Sequence, residues 1–426
     1  MRIAYVIINA NRYEGTSRAI LEVAERLAIN HDVDLWSRTF SVDSRLKAEH
    51  REQFSRIAAG HLRWVEVAGV GRPEFVDFAT FKFLADRRLR KADYDIIHCA
   101  GPNTAIADVY TIQTVHPVKV TQTLQSRVSA SAGPFRRFSW KLYDSAVTKA
   151  EKEAYTSMGP RGPRAFLPVS VGTRRELLSS YPAIDFLGRA NSRLSGHANF
   201  DPVTVIPNGA DLEQFHPRQR EKFRLTIRET YGLKSDDFVV VFSGGDWRRK
   251  GLDLLIEAFE RLRDPQIRLL VIGDDRNGKE IRDLVQRQNL STNVTFAGFQ
   301  SEVHRYYAAG DLFVFPTLYE AFSLATIEAA ASGLPVIMSD ASGAVDLLGD
   351  GDCGAIVARD PIAIADKIME YQRDPELLAR HGRNARLKAE RDFSWDGIAS
   401  KTLEVYEQLI DYRKFLAARG TVAKDD

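Results

Sequence analysis

The sequence YEAFSLATIEAAASGLP (Tyr319–Pro335) predicts a connection from a strand into a helix. The apolar run Asp311–Pro316 comes just before it and is typical of a short buried strand. From Phe322 onward the apolar residues have helical spacing, with Ser323 near the start and Gly333-Leu334-Pro335 at the end. A strand that leads through a short turn into a helix indicates an α/β unit.

Two acidic residues flank the start of this helix. Glu320 lies in the preceding turn, and Glu328 lies about one and a half turns inside the helix. A helix N-terminus binds phosphate or diphosphate, and a carboxylate accepts two parallel hydrogen bonds from a sugar diol. An acidic residue on each side of a helix N-terminus therefore fits a nucleotide sugar, in which a diphosphate lies between a sugar and a ribose. For the two acids taken alone, a helix cap and a solvated helix face are the more common explanation.

The residues around these acids resemble the C-terminal signature of the family 4 retaining glycosyltransferases. The matching segments are Glu320-Ala-Phe-Ser-Leu, Glu328-Ala and Gly333-Leu-Pro-Val-Ile, with Ser323 where the family usually has Gly. The resemblance implies the GT-B fold: an α/β protein of two Rossmann-like, doubly wound parallel-sheet domains that face each other across a cleft. It also implies that Glu320 holds the donor hexose, Glu328 the ribose, and Phe322–Leu324 the diphosphate.

The composition is that of a globular protein with room for two domain cores. Of the 426 residues, 44% are hydrophobic and 27% charged, which is ordinary for a folded domain. No apolar run reaches about eighteen residues, and the N-terminus becomes polar at Asn9, too early for a signal peptide. We therefore expect a cytoplasmic protein. Cys99 and Cys353 are too few and too distant for a disulfide framework, and we interpret them as buried thiols.

The charge is unevenly distributed along the chain. Residues 1–207 hold 29 Lys and Arg against 21 Asp and Glu, a net charge of +8, whereas the remainder has a net charge of −6. This favours an anionic partner for the N-terminal half, such as a lipid-linked acceptor or an anionic membrane surface, although random scatter also explains it. Pro134–Tyr143 (PFRRFSWKLY) suits a membrane interface, and aromatic core packing explains it nearly as well. Lipopolysaccharide-core glucosyltransferases, which the chain resembles, use basic N-terminal surfaces in this way.

The N-terminus predicts a Rossmann-type opening without a dinucleotide motif. A strand at Arg2–Ile8 and a helix at Arg18–Ala28 flank Gly15-Thr16-Ser17, but G-x-G-x-x-G is missing, which argues against a dinucleotide cofactor. In the family this loop carries two adjacent glycines near the donor phosphate. Gly15 matches the second of them and Glu14 replaces the first, so the resemblance implies that Gly15 approaches the donor.

Two histidines are predicted at the carboxyl ends of strands, where open parallel sheets bind ligands. His98 falls within Tyr94–Cys99, and His116 directly follows Tyr110–Val115. An isolated histidine in such a place is more often structural than functional. The family commonly has a histidine at the place of His116, near the donor sugar, and this implies the same role here. His98 is then either a core histidine or one that supports the site from behind the residues that touch the ligand.

A cationic loop is predicted at the start of the second half. A strand at Phe238–Ser243 leads through Gly244–Gly251 (GGDWRRKG) into a helix at Leu252–Leu262. Three adjacent cations at a glycine turn suit a diphosphate, and an exposed basic loop is the alternative. In the family a Lys-Gly pair and an upstream Arg grip the diphosphate. Lys250 matches the Lys, and Arg249 takes the place of the missing Arg, as in the lipopolysaccharide-core subgroup.

The segment Val203–Pro217 (VTVIPNGADLEQFHP) resembles the junction between the two domains of the family. The predicted domains are an acceptor-side domain at 1–207 joined by a C-terminal helix at about 397–418, a nucleotide-sugar domain at 208–396, and a tail at 419–426. In the second domain a strand and turn at Asn293–Phe299 place Phe299 where the nucleotide base rests.

The resemblance implies a retaining, metal-independent glycosyltransferase. It moves a sugar from a nucleotide diphosphate sugar, with a uridine diphosphate sugar favoured, to a hydroxyl acceptor on a polysaccharide, lipopolysaccharide or glycolipid precursor. The predicted catalytic residues are His116, Arg249, Lys250 and Glu320, and the predicted donor contacts are Gly15, Arg249, Lys250, Phe299, Glu320, Phe322, Ser323, Leu324 and Glu328.

We expect no further cofactor, no metal and no nucleic-acid partner, and peripheral contact with the inner face of the membrane. The alternatives are a nucleotide-sugar epimerase or hydrolase, and a non-catalytic nucleotide-sugar-binding protein on the same fold.

Overall fold

The chain forms two compact units in the computed structural model. The structure describes residues 1–12, 14–41, 61–128, 134–156, 159–184, 200–341, 343–349 and 351–418. The first unit holds the described residues of Met1–Thr121 and Ala130–Asn208 and returns at Trp395, and the second holds Gly209–Ser394 together with Gln122–Val128. The predicted tail at 419–426 lies outside the described residues.

Fourteen strands are found within these ranges. They are β1 (Arg2–Val6), β2 (Asn9–Asn11), β3 (Asp32–Ser37), β4 (Thr39–Ser41), β5 (Leu62–Glu66), β6 (Ile96–Ala100), β7 (Val109–Ile112), β8 (Ala165–Pro168), β9 (Phe238–Ser243), β10 (Ile267–Ile272), β11 (Val294–Gly298), β12 (Leu312–Phe315), β13 (Val336–Ser339) and β14 (Gly354–Val357).

The helices of the same ranges are α1 (Gly15–Leu27), α2 (Glu74–Leu89), α3 (His116–Val128), α4 (Pro134–Thr156), α5 (Val171–Ser180), α6 (Gln219–Thr230), α7 (Leu252–Leu262), α8 (Lys279–Arg287), α9 (Val303–Ala309), α10 (Leu324–Ala331), α11 (Ala344–Leu348), α12 (Pro361–Arg373), α13 (Pro375–Asp392) and α14 (Trp395–Ala418).

Each unit is built on a six-stranded sheet whose strands all pair in parallel. The strand order is β5-β3-β1-β6-β7-β8 in the first unit and β11-β10-β9-β12-β13-β14 in the second. In both sheets the first strand of the unit lies in the middle and the chain winds outward on each side of it. This is the doubly wound arrangement, and it confirms the predicted α/β fold class.

The central strands were predictable because helices cover both faces of a parallel sheet, so the strands are continuous apolar runs. β9 and α7 have the predicted bounds residue for residue. The apolar run Val203–Gly209 also predicts a strand, but only Val203 is assigned to a bridge there, with Phe166 of β8. The segment still runs along β8, since the N–H groups of Thr204 and Ile206 donate to the carbonyls of Phe166 and Pro168 at 3.1 Å.

The C-terminal helix α14 belongs to the first unit and is tied to it by a buried hydrogen-bond chain. The Tyr406 hydroxyl lies 2.6 Å from the Tyr5 hydroxyl and 2.5 Å from His98 Nδ1, and His98 Nε2 lies 2.7 Å from Thr111 Oγ1. Burial lowers the pKa of His98 to about 3, so the ring is neutral near pH 7. His98 is thus a core residue, as expected.

Two tyrosines of α14 provide a matched test of this chain. Both are buried, but the Tyr412 hydroxyl has no hydrogen-bond partner among the described residues, whereas the Tyr406 hydroxyl has two. We predict that Tyr406→Phe lowers the free energy of unfolding by about 1–3 kcal/mol, because it leaves buried partners unpaired. Tyr412→Phe should be neutral or stabilising. Urea denaturation of both variants checks this, and equal losses would contradict it.

Candidate functional site

A tight glycine turn follows β9 and carries the chain into α7. Gly244 and Gly251 have positive φ angles of 135° and 78°. A Cβ on Gly251 would lie 2.1 Å from the carbonyl oxygen of Pro316, at the end of β12. Trp247 anchors the turn from below, since its ring is fully buried and its indole N–H donates to the Gly244 carbonyl at 3.0 Å. The turn therefore has a fixed shape that requires glycine.

The ammonium group of Lys250 lies over this turn. Its Nζ atom is 2.3 Å from the position that a Cβ on Gly244 would take, and 5.2 Å from the centre of the Phe315 ring. Burial lowers the pKa of Lys250, and the negative charges of Glu320 and, more weakly, Glu328 oppose that shift. Within the described part of the chain no group forms a hydrogen bond or ion pair with this ammonium. Lys250 is thus a cation whose hydrogens make no hydrogen bond to the described residues.

The guanidinium of Arg249 joins the cationic loop to the loop after β12. Its Nε atom donates to Asp246 Oδ2 at 2.6 Å, and Nη1 donates to the Tyr319 carbonyl at 2.6 Å and lies 3.5 Å from Glu320 Oε2. Burial alone would lower the pKa of Arg249, but Glu320 and Asp246 raise it above its ordinary value. The Leu318 N–H also donates to the Arg249 carbonyl at 2.7 Å. These contacts join the two loops directly.

The loop after β12 ends in the N-terminus of α10. The helix begins at Leu324, two residues later than predicted, because Ser323 is the N-cap and accepts a hydrogen bond from the Thr326 N–H at 3.2 Å. The Phe322 ring is buried 5.6 Å from that of Phe393, so Phe322 offers only its backbone to a ligand. The N–H groups of Leu324 and Ala325 precede the capped one and have no intrahelical partner, which leaves them for an anion.

Both predicted acids lie near the cations. The side chain of Glu320 is 21% exposed, and its carbonyl accepts a hydrogen bond from the Gly343 N–H at 3.0 Å. Glu328, inside α10, is buried at 5% exposure. Because both acids affect the pKa of Lys250, they are its electrostatic neighbours. The structure thus brings Arg249, Lys250, Glu320 and Glu328 together at the carboxyl edge of the second sheet.

The predicted base contact lies farther along the same edge. Phe299 directly follows β11, the outermost strand, and its ring is 57% exposed. Since β10 separates β11 from β9, Phe299 is two strands away from the glycine turn. Its contact with a base stays a prediction.

Two predicted residues, His116 and Gly15, lie in the first unit. Gly15 is the first residue of α1, at an exposed position after the N-cap Glu14. The predicted strand before His116 is too long, because β7 ends at Ile112 and His116 is the first residue of α3. The ring of His116 is held by a carboxylate, with Nε2 3.1 Å from Asp144 Oδ1.

Two family models match separate parts of the chain. Residues 223–388 match the glycosyl transferases group 1, and residues 13–183 match glycosyltransferase family 4. Together the matches cover most of the chain. The chain belongs to these glycosyltransferase families. The resemblance on which the predictions rest is thereby confirmed.

Similar proteins are glycosyltransferases of several kinds. A D-inositol 3-phosphate glycosyltransferase of Streptomyces bingchenggensis is 32% identical over 241 residues, which are 53% of this chain and 52% of that protein. The uncharacterized glycosyltransferase MJ1607 of Methanocaldococcus jannaschii is 27% identical over 49% of this chain and 54% of its own length. The chain spans about half the length of the curated relatives that it matches.

Solved structures of glycosyltransferases share the GT-B fold. WaaG, a glycosyltransferase involved in lipopolysaccharide biosynthesis, has a TM-score of 0.72 and 18% identity, covering 95% of this chain and 99% of its own. Anabaena Alr3699/HepE in complex with UDP-glucose has a TM-score of 0.69 and 18% identity, covering 96% and 99%. At this identity the likeness shows the fold alone.

Sequence reasoning missed three acids of this glycosyltransferase. Asp246 lies inside the cationic loop in a left-handed conformation, with φ of 52°, and pairs with Arg249. Asp144 and Glu151 lie on α4 and contact His116 from 28 and 35 residues away. For Asp246 the sequence did carry a signal, because an acidic residue inside a cationic loop can pair with a neighbouring cation. No pattern in the sequence predicts that Asp144 and Glu151 contact His116.

The close contact at Gly251 can be tested with a matched glycine. Gly232 also has positive φ, but a Cβ there would meet nothing within 4 Å. We predict that Gly251→Ala lowers the free energy of unfolding by about 1–3 kcal/mol more than Gly232→Ala, because it adds a clash with Pro316 to the backbone strain. Chemical denaturation of both variants measures this difference. Equal losses would mean that the two loops do not meet as described.

Proposed function

We propose that this chain is a retaining, metal-independent glycosyltransferase. It transfers a sugar from a nucleotide diphosphate sugar, with a uridine diphosphate sugar favoured, to a hydroxyl of a cell-surface glycan or glycolipid precursor. The observation that carries the proposal is the Lys250 ammonium, which forms no hydrogen bond or ion pair with the described residues and lies beside Arg249 and Glu320. A partly buried ammonium that forms no hydrogen bond or ion pair has lost part of its hydration without full compensation, and an anionic ligand would supply the missing contacts.

The charges of the site suit a diphosphate that leaves during the reaction. Lys250, Arg249 and the N-terminus of α10 supply positive charge where the leaving group becomes more negative, so they stabilise the transition state more than the ground state. Glu320 accepts hydrogen bonds from hydroxyls of the donor sugar, and Glu328 from those of the ribose. The described residues contain no group of three or more potential metal ligands, and the cations take the role that a metal would have.

The proposed bond changes are those of front-face transfer, the account that is usual for the family. The bond between the anomeric carbon and the diphosphate oxygen breaks, and the acceptor oxygen bonds to that carbon on the same face, without a covalent enzyme intermediate. The acceptor proton passes to the departing diphosphate. Arg249 holds Glu320 through Nη1, which keeps the carboxylate on the sugar while the leaving group departs.

A uridine diphosphate sugar is supported by the fold neighbours. Anabaena Alr3699/HepE forms complexes with UDP and with UDP-glucose. An epimerase or hydrolase would release an altered or free sugar without an acceptor, and a binding protein would release neither. Acceptor-dependent release of UDP separates the transferase from both alternatives.

The donor site can be tested with two cations of the same loop. Lys250 forms no ion pair with the described residues, whereas the exposed Arg248 pairs with Glu280 at 2.7 Å. We predict that Lys250→Met weakens binding of UDP by about 10–100-fold, since a hydrogen bond between charged groups contributes about 1.5–3 kcal/mol. Glu328→Gln should also weaken it. Isothermal titration calorimetry measures both variants.

Arg248→Met is the control, and it should change the affinity for UDP less than about threefold, because an exposed ion pair contributes little. Wild-type affinity in Lys250→Met, or an equal loss in the control, would remove the site assignment.

We also propose peripheral contact with an anionic membrane through α4. No described helix is both long and apolar enough to cross a bilayer. On α4 the exposed Arg137 and Lys141 flank Phe138, whose ring is 59% exposed. Basic residues beside an exposed aromatic ring suit the headgroup region of an anionic leaflet. Such contact would bring the enzyme to a lipid-linked acceptor.

This contact predicts binding that depends on lipid charge. The protein should sediment with vesicles that contain anionic lipid and should dissociate as salt rises, because each basic residue near the surface contributes about 1 kcal/mol. Phe138→Ser combined with Lys141→Glu should abolish sedimentation without changing UDP binding. Equal binding to neutral and anionic vesicles would contradict the proposal. If a soluble phosphorylated polyol proved the better acceptor, the enzyme would not have to reach a lipid-linked acceptor. The reason for membrane contact would then be lost.

A further inference from the structure

We propose that helix α4 positions His116 for the transfer reaction, with Asp144 holding its ring and Glu151 holding its backbone. The inference rests on the proposed function and on the expectation, carried over from the family resemblance, that His116 lies near the donor sugar. Asp144 and Glu151 are seven residues apart, which is about two helical turns, so they lie on the same face of α4. One helix face thus contacts a single histidine at two places.

The ring contact fixes the tautomer of His116. Asp144 Oδ1 lies 3.1 Å from Nε2, and both side chains are largely buried, at 18% and 8% exposure. A carboxylate accepts but does not donate, so Nε2 carries the hydrogen and Nδ1 becomes the accepting nitrogen. The Tyr143 ring packs edge-on at 6.1 Å and limits rotation of the imidazole. The orientation and the proton of His116 are therefore both set by α4.

The backbone contact fixes where the histidine sits. The His116 N–H lies 3.2 Å from each carboxylate oxygen of Glu151. Since His116 is the first residue of α3, this carboxylate also faces the positive end of that helix. The Tyr181 hydroxyl donates to Glu151 Oε2 at 2.9 Å and holds the carboxylate in place. Burial raises the pKa of Glu151 to about 7, and the hydrogen bonds from Tyr181 and His116 oppose that shift.

Packing alone does not explain this arrangement. Glu151 is 2% exposed, and burying a carboxylate costs several kcal/mol unless hydrogen bonds compensate. An apolar residue would join α3 to α4 more simply. A helix cap would explain Glu151, but it would not require a second carboxylate on the imidazole. Both acids are explained if the histidine must keep one position and one tautomer.

Imidazole nitrogen shifts measured by NMR test the inference without relying on activity. Asp144→Leu removes the acceptor at similar volume, whereas Asp144→Asn keeps an accepting oxygen. We expect His116 to carry hydrogen on Nε2 in the wild type and in Asp144→Asn, and to lose this preference in Asp144→Leu. His116→Gln identifies the signals. Glu153→Gln is the control, because Glu153 lies on the same helix with a side chain 58% exposed.

Kinetics then test whether the position matters for transfer. In Asp144→Leu we expect kcat to fall by about 10-fold or more with little change in the KM for the donor, and Asp144→Asn should recover most of the loss. An unchanged tautomer in Asp144→Leu would overturn the inference, as would a changed tautomer with wild-type kcat. If the wild type transfers no sugar, the proposed function fails, and the tautomer still decides whether Asp144 positions the ring.

Discussion

The candidate donor site depends on one close backbone contact, between Gly251 and the Pro316 carbonyl. A Cβ at residue 251 would lie 2.1 Å from that oxygen, so the start of α7 and the end of β12 meet at a distance that no other residue permits. The contact brings the cationic loop against the loop that leads to α10. Arg249 then reaches Tyr319 and Glu320 directly.

This contact brings acidic and basic side chains close together without pairing the Lys250 ammonium to an acid. Glu320 is near both cations, yet it lies 3.5 Å from Arg249 and forms no ion pair with Lys250. Its charge, with that of Glu328, opposes the effect of burial on the pKa of Lys250. The acids thus help to keep the ammonium charged while its hydrogens stay available. A site of this kind suits a ligand that carries both an anion and hydroxyl groups.

The sequence predicted the parts of this site that depend on local pattern. β9 and α7 have apolar runs and turn residues that define their bounds, and the α10 signature located Glu320 before the helix and Glu328 within it. The end of β7 was misplaced by three residues, because the apolar pattern continues through Val115 after the ladder has ended at Ile112. The contacts of Arg249 with Tyr319 and of His116 with α4 join distant segments. Only tertiary packing determines them.

The central claim is that the mouth of α10 and the cationic loop together hold a diphosphate. A crystal structure with a bound uridine diphosphate sugar tests it most directly. The account predicts diphosphate oxygens about 3 Å from Lys250 Nζ and from the first N–H groups of α10, with Glu320 on hydroxyls of the sugar. A diphosphate bound elsewhere on the second unit, or a Glu320 carboxylate that contacts no hydroxyl, would contradict it.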